Sequence, residues 1–291
     1  MSSPVWMITG ANGFLGANAQ RFLGAQADTI GFSRDQHDLT TPGSLAAEIN
    51  RVKPEYLLHT AAIANHHVCD SDPDLAFAVN ARATQVIAQA CEQAGTKLIL
   101  ISTDAVFSGK PTPTQPAGDY TELDPPSPDT VYGATKLQGE IYAQNETRPL
   151  IIRTNFFGWS PSGERSILEF FVNALRKNKN VSGFTNVTTT SLYVQTLLDY
   201  TYQLKDHAGV FHVTSRDALT KYQFGLSVAK HFGLDGRLIT PEEAPEPKNI
   251  GLNTCKLAMC LAEEIQSQND GLIAALQDLP SSVWGQDHPS H

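Results

Sequence analysis

The sequence predicts an α/β fold, a doubly wound parallel sheet followed by a smaller C-terminal lobe. Three observations support this. Short apolar strands alternate with helical stretches through about residue 155. A glycine-rich turn joins the first strand to the first helix, which is the geometry of a phosphate cradle. Beyond residue 155 the alternation loosens into separate elements.

In chain order, the apolar run Val5-Trp6-Met7-Ile8 sets a strand from Val5 to Thr9. It runs into Thr9-Gly10-Ala11-Asn12-Gly13-Phe14-Leu15-Gly16 and a helix from Gly13 to Ala25. Glycine permits the tight turn and lets the backbone approach an anion, whose charge meets the positive end of the helix. The G-x-x-G-x-x-G spacing is one residue longer than the common dinucleotide fingerprint. Further strands are expected at Thr29 to Phe32, Tyr56 to His59, Lys97 to Ser102 and Leu150 to Arg153. Helices are expected near Ser44 to Arg51, Pro73 to Gln93 and Thr130 to Asn145. In such Rossmann-like sheets ligands bind beyond the carboxyl ends of the strands, where Gly10 and Thr103 both sit.

Between Ser108 and Asp129 lie Pro111, Pro113, Pro116, Pro125, Pro126 and Pro128. That density forbids helix and sets an extended connector, either a rigid strap or a lid facing the substrate. After residue 155, Ser160 to Asn180, Thr185 to Leu204 and Lys221 to Phe232 read as elements of a second lobe. The expected division is a dinucleotide-binding domain over 1–155 and mainly a substrate-binding lobe over 156–283, from which the chain can return to the first domain. A polar, disordered tail is expected over 284–291.

A net charge of −9 over 291 residues argues against nucleic-acid binding. The basic cluster Arg176-Lys177-Asn178-Lys179 reads as a solvated helix end. Cys69, Cys91, Cys255 and Cys260 show no metal-ligand spacing, and free thiols fit a reducing compartment. The first strand begins within a few residues of the start, leaving no room for a signal peptide, and no apolar run is long enough to span a membrane. The expectation is a cytoplasmic protein with no membrane, metal or nucleic-acid partner. A homodimer is left open.

The pentapeptide Tyr132-Gly133-Ala134-Thr135-Lys136 carries the chemistry. Positions four apart share a helix face, so phenol and ammonium can stand side by side. A free tyrosine has a pKa of about 10. A cation ~4 Å away at an effective dielectric of ~20 favours phenolate by roughly 4 kcal/mol, about three pKa units. A tyrosine so placed can transfer a proton near neutrality.

The glycine turn and the Tyr-Lys pair together resemble the extended short-chain dehydrogenase/reductases. Ile101-Ser102-Thr103-Asp104-Ala105-Val106-Phe107-Ser108-Gly109 is similar to the S-T-D-x-V-F-x-G signature of the dTDP-4-dehydrorhamnose reductase family. Five further segments match it in order: Asp38-Leu39-Thr40, His59-Thr60-Ala61-Ala62 with His for the usual Asn, Val79-Asn80-Ala81, Val131 to Glu140, and Arg153-Thr154. The matches span about residues 4 to 260.

The resemblance implies reduction of a keto sugar, with a nucleotide-linked 4-keto-deoxysugar as the expected partner. Tyr132 would donate the proton, Lys136 would lower its pKa and bind the nicotinamide ribose, and Thr103 would hold the substrate oxygen. The implied cofactor contacts are Gly10, Asn12, Gly13, Phe14, Leu15, Gly16, Asp38, Leu39, Thr60, Ala61, Ala62 and Asn80, with Tyr132 and Lys136. Ser33 and Arg34 close the second strand and suit a 2′-phosphate, which favours NADPH, while Asp35 would serve NAD. Substrate contacts are expected from Thr103, Asp104, Ala105, Asn155, Phe156 and Lys248. Ala105 replaces the family's tyrosine and Asn155-Phe156 its Ser-Trp, which leaves the sugar itself open. Two alternatives stand beside the reductase. One is an epimerase or other carbonyl reductase on the same scaffold. The other is a non-catalytic NADP-binding regulatory subunit.

Overall fold

The computed structural model describes residues 3–112 and 117–280. The tail expected over 284–291, with Pro113 and Pro116, lies outside the described residues. The chain runs β1 (Val5–Thr9), α1 (Phe14–Gly24), β2 (Asp28–Phe32), α2 (Gly43–Val52) and β3 (Tyr56–His59). Then come α3 (His66–Ser71), α4 (Pro73–Phe77), a π-helical turn (Ala78–Arg82), α5 (Ala83–Ala94) and β4 (Lys97–Thr103). A 3₁₀ turn (Asp104–Val106) leads through the proline-rich connector to α6 (Val131–Glu146) and β5 (Leu150–Thr154). The remainder holds β6 (Phe156–Phe157), α7 (Ile167–Arg176), β7 (Val181–Phe184), β8 (Val187–Thr189), β9 (Leu192–Tyr193) and α8 (Val194–Gln203). It ends with β10 (Gly209–His212), β11 (Leu219–Thr220), α9 (Lys221–His231), β12 (Ile239–Glu242), β13 (Lys248–Asn249), α10 (Cys255–Leu261) and α11 (Gln268–Gln277).

The central sheet is parallel throughout, in the order β10-β5-β4-β3-β1-β2. Its strands are apolar because both faces are covered. Successive side chains point to opposite faces. Trp6, Ile8, Leu58, Ile99 and Ile152 therefore pack on the α1 side, while Met7, Leu57, Leu98, Leu100 and Ile151 pack on the α2–α5 side. The first cluster continues into α7, α8, α9 and α11 through Phe171, Leu197, Phe224 and Leu272. The sixth strand, β10, was not legible in the sequence. Gly209–His212 is four residues long, and it is the free edge of β5 that makes it a strand, pairing Gly209 with Leu150 and His212 with Arg153. Among the described residues, no helix is long and apolar enough to cross a membrane.

Two buried polar systems fix α6 on this sheet. Arg153 at the end of β5 and Glu140 on α6 form an ion pair 2.8 Å apart, with 5% and 2% of their side chains exposed. Ser102 of β4 donates its hydroxyl to the same carboxylate, and Phe107 lies under the guanidinium at 5.3 Å. The second system runs from β1 to α6. Thr9 Oγ1 accepts the Ala61 N–H, so its hydroxyl proton is free for His59 Nδ1 at 2.7 Å. The His59 Nε2–H then donates to Thr84 Oγ1, whose own proton goes to the Asn80 carbonyl. The Asn80 amide donates to the Ile63 carbonyl and to Thr135 Oγ1 on α6. The network thus assigns His59 as the neutral Nε2–H tautomer. Burial, with the Lys136 charge nearby, pushes its pKa down to about 3.

Two stability predictions follow from these systems. Glu140→Gln leaves Arg153 buried without its counter-charge and should cost about 3–5 kcal/mol. Urea unfolding measures this, and an unchanged midpoint would contradict the pinning role. His59 takes up a proton on unfolding at pH values between about 3, its folded pKa, and about 6.5, the ordinary imidazole value. Its contribution to stability is full above that window and is lost as pH falls through it. Asp104 works the other way, because its carboxyl is raised to about 6. In His59→Asn the stability lost between pH 6.5 and 4.5 should therefore shrink by roughly 2–3 kcal/mol, at 1.36 kcal/mol per unit. Equal pH slopes in variant and wild type would refute the assignment.

Candidate active site

A cavity of about 800 Å³ opens at the carboxyl ends of the strands. Its floor is the β1–α1 turn, with Gly10, Asn12, Gly13, Phe14, Leu15 and Gly16 all on its wall. The turn has little room for other residues. A Cβ on Gly16 would lie 2.2 Å from the Gly10 carbonyl oxygen, and Gly10 itself takes φ +69° against Ala61. No side chain caps α1, whose N-cap is Gly13. Its first N–H groups are thus free for an anion, as a dinucleotide pyrophosphate requires. Ser33, Arg34, Asp38 and Leu39 line one end of the cavity, and Thr60, Ala61 and Ala62 its back. The Asp38 carboxylate accepts the Thr40 N–H at 2.9 Å, the main cause of its lowered pKa. The residues present therefore fit a nicotinamide dinucleotide.

Asn80 departs from expectation. It is 1% exposed and does not line the cavity. Its side chain is consumed by Ile63 and Thr135, so it braces α6 rather than touching a cofactor.

Thr103, Tyr132 and Lys136 come together at the inner end of the cavity. Thr130 caps α6 by accepting the Gly133 N–H, which places Tyr132 in the first turn. Gly133 lets that turn press on the 3₁₀ turn after β4, since a Cβ there would meet the Ala105 carbonyl oxygen at 2.1 Å. Lys136 is 5% exposed and donates to the Ile101 carbonyl at 2.7 Å. Burial lowers its pKa to about 8, with Glu140 opposing. The expected lowering of the Tyr132 pKa by Lys136 is not what the structure has. Burial pushes the phenol up to about 12, Thr103 lowers it by hydrogen bonding, and the nearby Asp104 raises it. Desolvation of the phenolate sets the direction, and the Lys136 ammonium is engaged by the Ile101 carbonyl.

A second cavity, of about 350 Å³, adjoins the first. Thr103, Tyr132, Asn155 and Phe156 line both, and Asp104, Ala105 and Lys248 line the second alone. Asn155 donates to Asp104 Oδ2 at 2.9 Å and accepts from the Ser191 hydroxyl at 3.1 Å. Burial raises the Asp104 carboxyl to about 6, with the Asn155 hydrogen bond opposing. Phe156 stacks at a tilt on Phe14, 5.1 Å between ring centres, which links this wall to the glycine turn. Lys248 is ion-paired at 2.9 Å with Asp129, which also holds Lys110.

Sequence reasoning missed several cavity-lining residues, among them His66, Lys221 and His37. His66 opens α3 behind the Asn65 cap, with its ring 5.0 Å from that of Tyr132. Lys221 lines both cavities at the start of α9. His37 lines the large cavity beside Arg34. Lys221 and His66 had readable signals, the capping box formed by Thr220 and Gln223 and the Asn65 cap.

Comparison with known proteins agrees with this geometry. The family model described as RmlD substrate binding domain matches residues 5–280. A probable low-salt glycan biosynthesis reductase of Haloferax volcanii is 30% identical over 80% of this chain and 81% of its own length. The methionine adenosyltransferase 2 subunit beta of Mus musculus is 29% identical over 86% of this chain and 80% of its own length. The crystal structure of a dTDP-4-dehydrorhamnose reductase from Bacillus anthracis in complex with NADP superposes with a TM-score of 0.87. It covers 96% of this chain and 99% of that chain at 23% identity, a likeness of fold. By the extent of the family match and the order of its motifs on the parallel sheet, this chain belongs to the RmlD substrate binding domain family.

Proposed function

We propose that this chain is an NADPH-dependent oxidoreductase that reduces the keto group of a sugar, with a nucleotide-linked 4-keto-deoxysugar as substrate and Tyr132 as proton donor. The reading rests above all on the fact that Tyr132 and Thr103 line both cavities. One cavity has the build of a dinucleotide site, and the other is walled by Asp104, Ala105 and Asn155. A carbonyl held at the junction would lie within reach of both. A cytoplasmic location belongs to the same proposal.

The nicotinamide, when bound, supplies the hydride that goes to the carbonyl carbon. The chain's own residues do the rest. The first turn of α1 would hold the pyrophosphate, and Ser33 with Arg34 would take the 2′-phosphate. Thr103 donates a hydrogen bond to the carbonyl oxygen and fixes its position. Tyr132 passes its proton to that oxygen as charge develops, giving the alcohol. With its pKa near 12, Tyr132 is protonated at neutral pH, the state a donor needs. Lys136, charged below about pH 8, stabilises the phenolate that remains.

A second reading is favoured by one observation, the 29% identity to methionine adenosyltransferase 2 subunit beta across 86% of this chain. In that reading the chain holds the dinucleotide as a non-catalytic subunit. NADPH consumption against a panel of 4-keto sugar nucleotides separates the two. Tight NADPH binding with no oxidation by any substrate would favour the subunit.

Tyr132→Phe should leave NADPH affinity near that of the wild type and cut turnover about a hundredfold or more. Unchanged turnover would remove Tyr132 from the mechanism. The rate should also fall as pH rises through about 8, where Lys136 loses its charge. Lys136→Arg should move that fall upward, because guanidinium stays charged. A wild-type profile that stays flat to about pH 9.5 would contradict a role for the Lys136 charge.

A further inference from the structure

One buried acid on the wall of the small cavity has no part in the proposed mechanism. Asp104 is 3% exposed and opens the 3₁₀ turn after β4, next to Thr103. Both of its carboxyl oxygens have a side-chain partner. Oδ2 accepts the Asn155 amide at 2.9 Å, and Oδ1 accepts the Thr103 hydroxyl at 3.0 Å. Asn155 accepts the Ser191 hydroxyl through its Oδ1 at 3.1 Å, the orientation that aims its Nδ2 at Asp104. Thr103 Oγ1 also accepts the Ala105 N–H at 3.1 Å. The Tyr132 phenol lies beside the same hydroxyl, which lowers its pKa.

The single proton of Thr103 is contested. An ionised carboxylate only accepts, so an ionised Asp104 holds that proton. Thr103 then has none for a substrate carbonyl, and its lone pair competes with the carbonyl for the phenolic proton of Tyr132. A protonated Asp104 reverses the bond. Because Asn155 donates to Oδ2, the carboxyl proton belongs on Oδ1, where it donates to Thr103 Oγ1. The Thr103 proton is then released toward the cavity. Burial raises the carboxyl to about 6, against hydrogen bonds from Asn155, Thr103 and Ala105, so both states are populated near that pH. Around it stand Tyr132 on α6, His66 on α3, Lys221 on α9, and Lys248 on β13 in its ion pair with Asp129 of the connector.

We propose that Asp104 is a positioning residue for the reduction: as the neutral acid it donates to Thr103 Oγ1 and turns the Thr103 proton toward the carbonyl oxygen, and as the carboxylate it withdraws that proton. This rests on the reductase reading made above. Asp104 keeps its own proton throughout, and the proton of the product alcohol still comes from Tyr132. The rate should therefore be highest below about pH 6 and fall to a lower plateau as pH rises through that value. The fall near pH 8 set by Lys136 comes after it. The step should be about fivefold, the scale of one hydrogen bond.

The test is the pH profile of kcat with NADPH and 4-keto-6-deoxy sugar nucleotides, from about pH 5 to about pH 9, in wild type, Asp104→Asn and Thr103→Ser. In Asp104→Asn the carboxamide donates to Thr103 at every pH. The step near 6 should vanish, and the rate at about pH 7.5 should exceed that of the wild type about fivefold. Thr103→Ser should keep the step. A wild-type profile with no step near 6, or a folded Asp104→Asn slower than wild type at about pH 7.5, would overturn the assignment and leave the reductase reading standing. No turnover of any of these sugars would remove that reading and this one with it. Isotope-edited NMR of the Asp104 carboxyl, with no substrate present, checks the coupling without activity. Thr103→Val deletes a donor to the carboxylate and should move the titration midpoint upward from about 6. An unmoved midpoint would also overturn the proposal.

Discussion

The ion pair between Glu140 and Arg153 decides where α6 stands. A carboxylate and a guanidinium this deeply buried lose most of their hydration, so the pair holds only if geometry and further hydrogen bonds are good. Ser102 supplies one such bond, and the Phe107 ring covers the cation. The consequence is positional. Glu140 is one turn beyond Lys136 and two beyond Tyr132, so fixing it on β4 and β5 sets the depth at which both enter the site. The chain from Thr9 through His59, Thr84 and Asn80 to Thr135 fixes the same helix from the β1 side. The acid end and the glycine turn are thereby joined through one rigid frame, the kind of support a geometrically exacting reaction needs.

Burial has a second effect, on the electrostatics. The desolvation that makes Tyr132 a weak acid also makes Lys136 a weaker base than a solvated lysine. At neutral pH the site therefore holds a protonated phenol beside an ammonium, the pair that suits donation to a developing alkoxide. Glu140 favours the charged form of Lys136, since its carboxylate opposes the lowering by burial. The ion pair thus serves position and protonation state together.

Much of this was legible in the sequence because it is local. β1 to β5 are apolar runs with flanking turns, and α1 and α6 carry their own start signals, Gly13 and Thr130. The glycine turn, Thr103, Tyr132 and Lys136 were readable from motif and spacing. What was not readable depends on distant partners. β10 is a strand only because β5 offers it an edge, and α3 is too short for periodicity to reveal. Asn80 matched a motif, yet its amide turns to Ile63 and Thr135. The sign of the Tyr132 shift depends on how deeply the phenol is buried, which spacing along one helix does not specify.

Asn155, standing where the resemblance expects serine, ties Asp104 to Ser191, so the two departures at Ala105 and Asn155 face the same small cavity. In the proposed reading, that cavity is where the sugar would be selected. The central claim, hydride delivery to a sugar carbonyl held between Thr103 and Tyr132, is tested most directly by isotope transfer. Wild-type protein would be given NADPH deuterated at the transferable position of the nicotinamide together with 4-keto-6-deoxy sugar nucleotides, and the products read by mass spectrometry and NMR. The account predicts an alcohol carrying one deuterium on the former carbonyl carbon. NADPH bound at the cradle, with no deuterium reaching any sugar, would contradict it.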